Sequence, residues 1–362
     1  MTRPSAVVIL AAGEGKRMRS ATPKVLHEVA GRTLLGHVIE AASALEPEHL
    51  VIVVGHGRDR VQAHLDEVAP WVSTVVQEEQ LGTGHAVRVA LEFLLEGGAV
   101  LSSGPVIVLT GDTPLLRGAT LMSLESVHAA SRAGCTVLTA ALPDPSGYGR
   151  VIRDPGGMVA KIVEDRDASA AELAVNEINS GMYAFDGQAL RSALGRVGRS
   201  NAQGEEYLTD VVEILRGDGD TVAASLVSDP AEILGVNDRE QLAQAAAIMR
   251  DRVNSEWMRS GVSILDSATT WLDVDVELEP DCTILPSTTL RGPTSVATGA
   301  RIGPGTTLIS CEVGRDAVVR HTWAELAVIG EDASVGPFTY LRPGTVLGAG
   351  VRAGAYVEIK NS

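Results

Sequence analysis

Apolar and polar positions follow two different periodic patterns along this chain. From residue 5 to about 230, short apolar runs rich in β-branched residues alternate with stretches whose apolar residues have helical spacing. The runs predict buried strands at Ala6–Leu10, Leu50–Val54, Val106–Thr110 and Cys135–Ala140. The stretches between them predict helices at Leu34–Leu45, Asp59–Val68, His85–Leu95 and Leu121–Arg132. This alternation predicts a Rossmann-like α/β domain with a mainly parallel sheet, which binds ligands at the carboxyl ends of its strands.

After Gly261 an apolar residue recurs at every sixth position. The series comprises Ile284, Leu290, Val296, Ile302 and Leu308 and, after a break, Val335, Leu341, Leu347, Ala353 and Ile359. This period predicts a left-handed parallel β-helix of hexapeptide repeats, in which apolar side chains point inward and glycine or proline turns the corners. The interruption at Arg320–Ala327 predicts an inserted loop that protrudes from a corner.

The two patterns divide the chain into three segments. We expect an α/β domain over residues 1–236, a helical linker over 237–260 and the β-helix over 261–362. The linker follows from Asn237–Arg259, a stretch rich in alanine and glutamine that contains neither glycine nor proline.

Composition excludes several classes of protein. The formal net charge is -16, so the surface repels nucleic acid and anionic lipid, and we expect neither a nucleic-acid nor a membrane partner. No apolar run approaches the roughly 18 residues of a membrane span. The cysteines Cys135, Cys282 and Cys311 are odd in number and far apart, which fits neither a disulfide framework nor a zinc site. These features predict a protein of the reducing cytoplasm.

The first strand runs into a turn of small residues that lets the backbone approach a ligand, with Arg17 and Lys24 adding the positive charge that a triphosphate needs. Taken alone, such a turn is as often structural as phosphate-binding. It lacks the third glycine of a dinucleotide fingerprint, which argues against an oxidoreductase, and the chain has no P-loop motif. The residues expected to contact nucleotide here are Leu10, Ala11, Ala12, Gly13 and Lys24.

The segment Leu10–Met18, followed by Pro23 and Lys24, resembles the signature of sugar-phosphate nucleotidylyltransferases. Together with the hexapeptide pattern, it is similar to the bacterial family of bifunctional N-acetylglucosamine-1-phosphate uridyltransferases and glucosamine-1-phosphate acetyltransferases. The resemblance implies that Arg17 and Lys24 are catalytic. Lys16 departs from the family's usual threonine or serine and adds a cation to the phosphate loop.

The resemblance continues through the segments that would read the base and bind metal. It implies that Gln77, Gly82 and Thr83 contact uracil, and that Thr110 and Gly111 border the substrates. It also implies that Asp112 and Asn237 hold Mg²⁺, a hard cation that prefers oxygen ligands. Without the resemblance, Asp112 is equally well explained as a turn residue and Asn237 as a helix cap.

The sugar would lie against a third group of residues. Gly149, Glu164 and Asn179 match family positions around the amino sugar: a glycine gives backbone access, and carboxylate and amide groups can bind hydroxyls. The N-acetyl preference rests on the resemblance alone. Outside that context, Glu164 would be a solvated surface carboxylate.

The end of the sequence matches the beginning of the family's acetyltransferase site. The resemblance implies that Arg342 and Lys360 bind sugar phosphate there, whereas the family's general-base histidine and acetyl-CoA surface would lie beyond Ser362. We therefore expect a shortened form with an incomplete acetyltransferase site and no acetyl transfer. The resemblance also implies a homotrimer assembled through the β-helix.

These observations together predict that the chain transfers a uridylyl group from UTP to N-acetylglucosamine 1-phosphate, with Mg²⁺, for cell-wall precursor synthesis. Two alternatives remain at this stage. A nucleotidyltransferase for glucose or mannose 1-phosphate would share the hexapeptide tail. A catalytically silent scaffold subunit would share both domains, but the presence of Arg17, Lys24, Asp112 and Asn237 argues against it.

Overall fold

The computed structural model describes residues 3–201 and 203–360, which divide into two compact units. The first contains residues up to 27 and 33–241, and the second contains residues 28–32 and those from 242 onward. The division falls after Gln241, inside the long helix Arg239–Arg259. No helix of the described ranges is long and apolar enough to cross a membrane.

The strands up to residue 259 are β1 (Ala6–Ala11), β2 (Glu28–Val29), β3 (Arg32–Thr33), β4 (Leu50–Val54), β5 (Ser73–Val76), β6 (Val106–Thr110), β7 (Cys135–Ala141), β8 (Arg150–Arg153), β9 (Val159–Val163), β10 (Glu177–Phe185) and β11 (Val222–Leu226). The α-helices are α1 (Leu34–Ser43), α2 (Arg58–Val68), α3 (Thr83–Glu96), α4 (Gly118–Ser131), α5 (Ala170–Leu173), α6 (Gly187–Leu194), α7 (Asp210–Gly217) and α8 (Arg239–Arg259). Short 3-10 helices occupy Lys16–Met18, Lys24–Leu26 and Pro230–Ile233.

The first unit contains a nine-stranded, mainly parallel sheet, as the sequence predicts. Its main path runs β11-β7-β10-β6-β1-β4-β5, with β8 and β9 attached to β10. The four predicted strands are present with bounds that differ by at most one residue at each end. β10 is antiparallel to both β6 and β7 and was not among them. Helices pack on both faces of the sheet, and each face has its own apolar core.

Three loops of the site meet because their strands are parallel neighbours. β1 pairs in parallel with both β4 and β6, so Leu10 lies opposite Thr110 and Ala11 opposite Val54. The segments that follow β1, β4 and β6 therefore leave the sheet at one edge. This edge is where an open parallel sheet binds ligands.

The second unit forms the predicted left-handed β-helix from short parallel strands in three sheets. The strands are β12 (Ser263–Ile264), β13 (Trp271–Leu272), β14 (Glu277–Leu278), β15 (Thr283–Ile284), β16 (Thr289–Arg291), β17 (Ser295–Val296), β18 (Arg301–Ile302), β19 (Thr307–Ile309), β20 (Glu312–Val313), β21 (Val318–Val319), β22 (Thr322–Glu325), β23 (Val328–Ile329), β24 (Ser334–Val335), β25 (Thr339–Leu341), β26 (Val346–Leu347), β27 (Arg352–Ala353) and β28 (Glu358–Ile359). The apolar residue of each predicted hexapeptide from Ile284 to Ala353 is buried.

The predicted protruding loop at Arg320–Ala327 is wrong. Its centre is β22, which pairs with β19 on one side and β25 on the other, and Ala324 is fully buried. The six-residue period is interrupted because some corners are one residue shorter, as between Ala324 and Ile329, and not because residues are inserted. His321 and Leu326, with φ of 42° and 46°, adopt the left-handed conformation that makes these tight corners.

Candidate active site

A cavity of about 320 Å³ opens at the sheet edge where β1 and β6 end. Residues predicted to contact nucleotide line it: Leu10, Ala11, Ala12, Gly13, Lys24, Gln77, Gly82, Thr83, Thr110 and Asp112. Gln80 and Glu205 also line it and were not predicted. Gln80 donates from Nε2 to the carbonyl oxygen of Ala12 at 2.9 Å and so supports the loop after β1.

The loop after β1 is shaped by glycine. Gly15 has a φ of 65°, and a Cβ at this position would lie 2.7 Å from Cβ of Lys24, so a side chain cannot be accommodated without displacing that lysine. By contrast, Gly13 faces open space. Arg17 is exposed in the following 3-10 helix and is not among the cavity-lining residues. Lys16 is also exposed, and its ammonium group pairs with Glu14 at 3.0 Å.

Lys24, Asp112 and Asn237 meet at one point although they are far apart in sequence. The Lys24 ammonium group donates to Oδ2 of Asp112 and, at 3.2 Å, to Oδ1 of Asn237. The lysine and aspartate side chains are 15% and 16% exposed. Both oxygens therefore converge on a single positive charge at the wall of the cavity.

Backbone and side-chain hydrogen bonds hold the two oxygen-bearing segments together. The Val236 N–H donates to the carbonyl oxygen of Asp112 at 2.9 Å. Nδ2 of Asn237 faces the carbonyl oxygen of Gly235 at 3.4 Å, which leaves Oδ1 directed at Lys24. The Asn237 N–H donates to Oε1 of Gln241 at 2.8 Å, but the side chain that caps α8 is that of Asp238, whose Oδ1 accepts from the Gln241 N–H at 2.9 Å.

The donor set around Lys24 suits a hard divalent cation. A carboxylate and an amide oxygen are ligands that Mg²⁺ accepts, and Mg²⁺ usually binds few protein groups and completes its shell with phosphate and water oxygens. Within the described residues there is no cluster of three or more histidine, cysteine, aspartate or glutamate side chains that would hold a metal by itself. Asp112 and Asn237 therefore fit a metal that the substrate helps to bind.

Gln77 is buried beside the cavity, where its amide group contacts the loop before α3. Its Nε2 donates to the carbonyl oxygen of Gly82 and to Nδ1 of His85, each at 3.0 Å. Gly82 has a φ of 109°, and a Cβ there would lie 2.5 Å from the carbonyl oxygen of Glu206. The Thr83 hydroxyl accepts from the Leu208 N–H at 3.1 Å, so this residue also has a structural role.

The three predicted sugar residues also converge. A Cβ on Gly149 would lie 3.6 Å from both Asn179 and Glu164, and the Asn179 N–H donates to the Gly149 carbonyl oxygen at 2.8 Å. Thr110 and Gly111 lie at the end of β6, which pairs with β10. A Cβ on Gly181 of β10 would come within 3.2 Å of Thr110. Gly149, Glu164 and Asn179 are not among the residues that line the nucleotide cavity.

Glu164 is half-buried and is not the solvated surface carboxylate that its charged neighbourhood suggests. Burial raises its pKa, and the nearby carboxylates of Asp167, Asp210 and Asp165 raise it further, while a hydrogen bond from Thr209 opposes them. The Thr209 hydroxyl donates to Oε1 at 3.2 Å. Thr209 was not predicted, because no local pattern connects it to a residue 45 positions earlier.

Arg342 and Lys360 lie on adjacent coils of the β-helix. Each directly follows a strand, β25 and β28 respectively, and Leu341 of the first pairs with Ile359 of the second. The Arg342 guanidinium donates to the Glu358 carboxylate and lies 5.6 Å from the centre of the Tyr340 ring. The structure thus places the two predicted cations side by side in sequence-adjacent coils.

Comparison with known proteins identifies the family. Residues 7–177 match the model of the MobA-like NTP transferase domain. The bifunctional protein GlmU of Streptomyces avermitilis is 55% identical over 361 residues, which cover 99% of this chain and 74% of that protein. The corresponding protein of Thermobifida fusca is 53% identical, with 100% of this chain and 74% of the relative covered. The chain belongs to the family of bifunctional GlmU proteins.

Membership of the GlmU family fixes the reaction. The chain is a UDP-N-acetylglucosamine pyrophosphorylase, a nucleotidyltransferase that uses sugar phosphate and nucleotide substrates to make a cell-wall precursor. Enzymes of this family depend on a divalent metal. This agrees with the reaction predicted from the sequence and rules out the silent scaffold and the glucose or mannose alternatives.

The sequence predicts an acetyltransferase site that is incomplete but contains Arg342 and Lys360. The aligned relatives are covered over 74% of their length, and this coverage includes the β-helix with Arg342 and Lys360. The acetyltransferase region of the GlmU family is therefore represented in the chain. The lack of acetyl transfer stays a prediction.

Proposed function

We propose that Lys24, Asp112 and Asn237 form the centre of uridylyl transfer and that the metal they accommodate is Mg²⁺. The observation that carries this proposal is the convergence of the Asp112 and Asn237 oxygens on the Lys24 ammonium group at the cavity wall. When bound, Mg²⁺ neutralises phosphate charge. Asp112 and Asn237 would hold the metal, and the Lys24 ammonium group would contact phosphate oxygens of the nucleotide.

The reaction needs no nucleophile from the protein. An oxygen of the sugar 1-phosphate attacks the α-phosphorus of UTP, a new P–O bond forms, and the bond to the β-phosphate breaks to release pyrophosphate. A phosphate monoester is already nucleophilic, so the protein contributes positioning and charge stabilisation. In this proposal the loop Leu10–Gly13 and Lys24 hold the triphosphate, and Arg17 reaches the leaving pyrophosphate from its exposed position.

The proposed binding of the two organic groups follows the geometry described above. Gln77 and Gly82 contact the uracil, and Thr83 supports the loop that they form. Gly149, Glu164 and Asn179 bind the N-acetylglucosamine unit, with Thr110 and Gly111 between the two groups. Glu164 accepts from a sugar hydroxyl when it is ionised, and Thr209 orients it.

Pyrophosphate release tests this assignment. With Mg²⁺, the pair UTP and N-acetylglucosamine 1-phosphate is expected to be much better than pairs containing ATP, GTP, glucose 1-phosphate or mannose 1-phosphate. Replacing Mg²⁺ with Ca²⁺, which prefers a larger and more flexible shell, should lower the rate. Equal turnover with ATP would contradict the base assignment, and full activity in excess chelator would contradict the metal assignment.

We further propose that the protein is a cytoplasmic homotrimer. The β-helix exposes large apolar residues that a partner of the same kind could cover, namely Trp323, Leu326, Phe338, Val346 and Tyr356. All three cysteines are free and buried, which agrees with a reducing compartment. Sedimentation that shows only monomer would contradict the trimer, and fractionation of cells tests the compartment.

A further inference from the structure

Both hydrogens of the Gln77 amide group are engaged inside the protein. One Nε2–H points to the carbonyl oxygen of Gly82 and the other to Nδ1 of His85, each over 3.0 Å. Gln77 is only 5% exposed and lines the nucleotide cavity. Because an amide NH₂ has two hydrogens, no donor is left to contact a base.

The carbonyl oxygen of Gly82 favours one direction of this amide, and Nδ1 of His85 favours the same direction. If the Gln77 side chain were turned by 180°, its Oε1 would face the Gly82 carbonyl oxygen at 3.0 Å, and two acceptors would repel each other. The observed direction leaves Oε1 free of those two contacts. Gln77 therefore offers the cavity an acceptor and not a donor.

His85 completes the arrangement through the ring nitrogen that faces Gln77. Its Nδ1 lies opposite an N–H donor, so it acts as an acceptor and the ring proton resides on Nε2. The residue lies in the first turn of α3, which begins at Thr83, and is half-buried. His85 thus holds the second amide hydrogen that Gly82 cannot hold.

We propose that His85 is a positioning residue that sets the choice of pyrimidine by locking the Gln77 amide with its carbonyl oxygen toward the base. This inference rests on the proposed nucleotide site. In the position that ribose and triphosphate impose, uracil presents an N3–H donor to Oε1, whereas cytosine presents an unprotonated N3. The repulsion between these two acceptors weakens CTP binding, but only as long as the amide keeps its direction.

The test compares kcat/KM for UTP and CTP in the wild type and in variants of His85. His85→Phe keeps an aromatic ring but removes the acceptor, and it should raise the CTP to UTP ratio of kcat/KM by about tenfold. Its KM for UTP should rise while the KM for N-acetylglucosamine 1-phosphate stays unchanged. His85→Asn, whose Oδ1 can replace Nδ1 as the acceptor, should restore most of the selectivity.

A matched control is His64→Phe. His64 is also half-buried on a helix, and its Nε2 lies 2.9 Å from the Thr33 hydroxyl. This variant should keep the wild-type ratio. His85→Leu, measured alongside, serves if the phenylalanine variant does not fold, as judged by circular dichroism.

The outcomes separate this inference from the proposed function. If folded His85→Phe and His85→Leu both keep the wild-type ratio within twofold, His85 does not position Gln77 and the inference is overturned. It is overturned as well if His85→Asn loses as much selectivity as His85→Phe. If the wild type itself uses CTP as well as UTP, the uridine assignment of the whole site is wrong.

Discussion

The two units gather their functional residues in opposite ways. In the α/β unit, Lys24 meets residues 88 and 213 positions away in the sequence, because parallel strands bring distant loops to one edge. In the β-helix, Arg342 and Lys360 are neighbours because consecutive coils stack. A sheet domain therefore depends on long-range pairing to build a site, whereas a solenoid builds one from nearest neighbours.

This difference has consequences for mutation. A change at the sheet edge of the α/β unit disturbs several distant segments at once, since the Asp112 and Asn237 segments are hydrogen-bonded to each other. A change in one coil of the β-helix is felt mainly by the coils on either side. The following experiments test whether the uridylyl-transfer chemistry is confined to the first unit and how tightly it is coupled there.

The largest effect is expected for Asp112→Asn. A neutral amide binds Mg²⁺ more weakly than a carboxylate and leaves Lys24 without its ion-pair partner, so the pyrophosphate release rate should fall by roughly 10³. Asp332→Asn, at a β-helix corner where asparagine tolerates the φ of 57°, is the control and should retain wild-type turnover. Near wild-type activity of Asp112→Asn at ordinary magnesium would remove this residue from the site.

Lys24→Ala should have the next largest effect. Losing the cation that the Asp112 and Asn237 oxygens face should lower kcat by a factor of roughly 10². Lys16→Ala is a matched control, because Lys16 lies nearby but is exposed and paired with Glu14. It should change kcat/KM less than about threefold. If both variants lose activity equally, the extra cation of this chain takes part in triphosphate binding.

Two core substitutions compare the units directly. Leu308→Ala in β19 and Leu109→Ala in β6 each empty a fully buried site and should lower the free energy of unfolding of their unit by about 2 to 5 kcal/mol. Leu109 precedes Thr110 and Asp112, so its variant should also lose pyrophosphorylase activity, whereas Leu308→Ala should keep it within about twofold. Denaturant unfolding and steady-state rates measure both. A large loss of activity in Leu308→Ala would show that the units are coupled.

The smallest effect concerns pH. Burial and neighbouring carboxylates raise the pKa of Glu164, so this group takes up a proton at a higher pH than an ordinary glutamate as the solution is acidified. The protonated form accepts less well from a sugar hydroxyl, and the KM for N-acetylglucosamine 1-phosphate should rise by about tenfold with acidification. Glu164→Gln should show a raised KM that no longer changes over the same pH range. If the KM of Glu164→Gln still rose with acidification as it does in the wild type, the assignment would be contradicted.

Much of the fold was readable from local pattern. The β–α alternation predicted the four core strands, and the period of six predicted the β-helix, because each reflects a repeat of buried positions along the chain. The antiparallel β10 was not predicted, since strand direction depends on the connection and not on the strand itself. The tight corners near Ala324 looked like an insertion, because one missing residue shifts the inward phase as an added loop does.

The sequence by itself determined which chemistry is present: a small-residue turn with cations, a carboxylate after a buried strand, and a family resemblance that names the substrates. Only the tertiary structure decided which groups meet. It brought Asn237 to Asp112 around Lys24, directed the Gln77 amide through Gly82 and His85, and placed the half-buried Glu164 against Thr209. Hydrogen bonds and desolvation depend on distances between residues remote in sequence, and no local pattern encodes those distances.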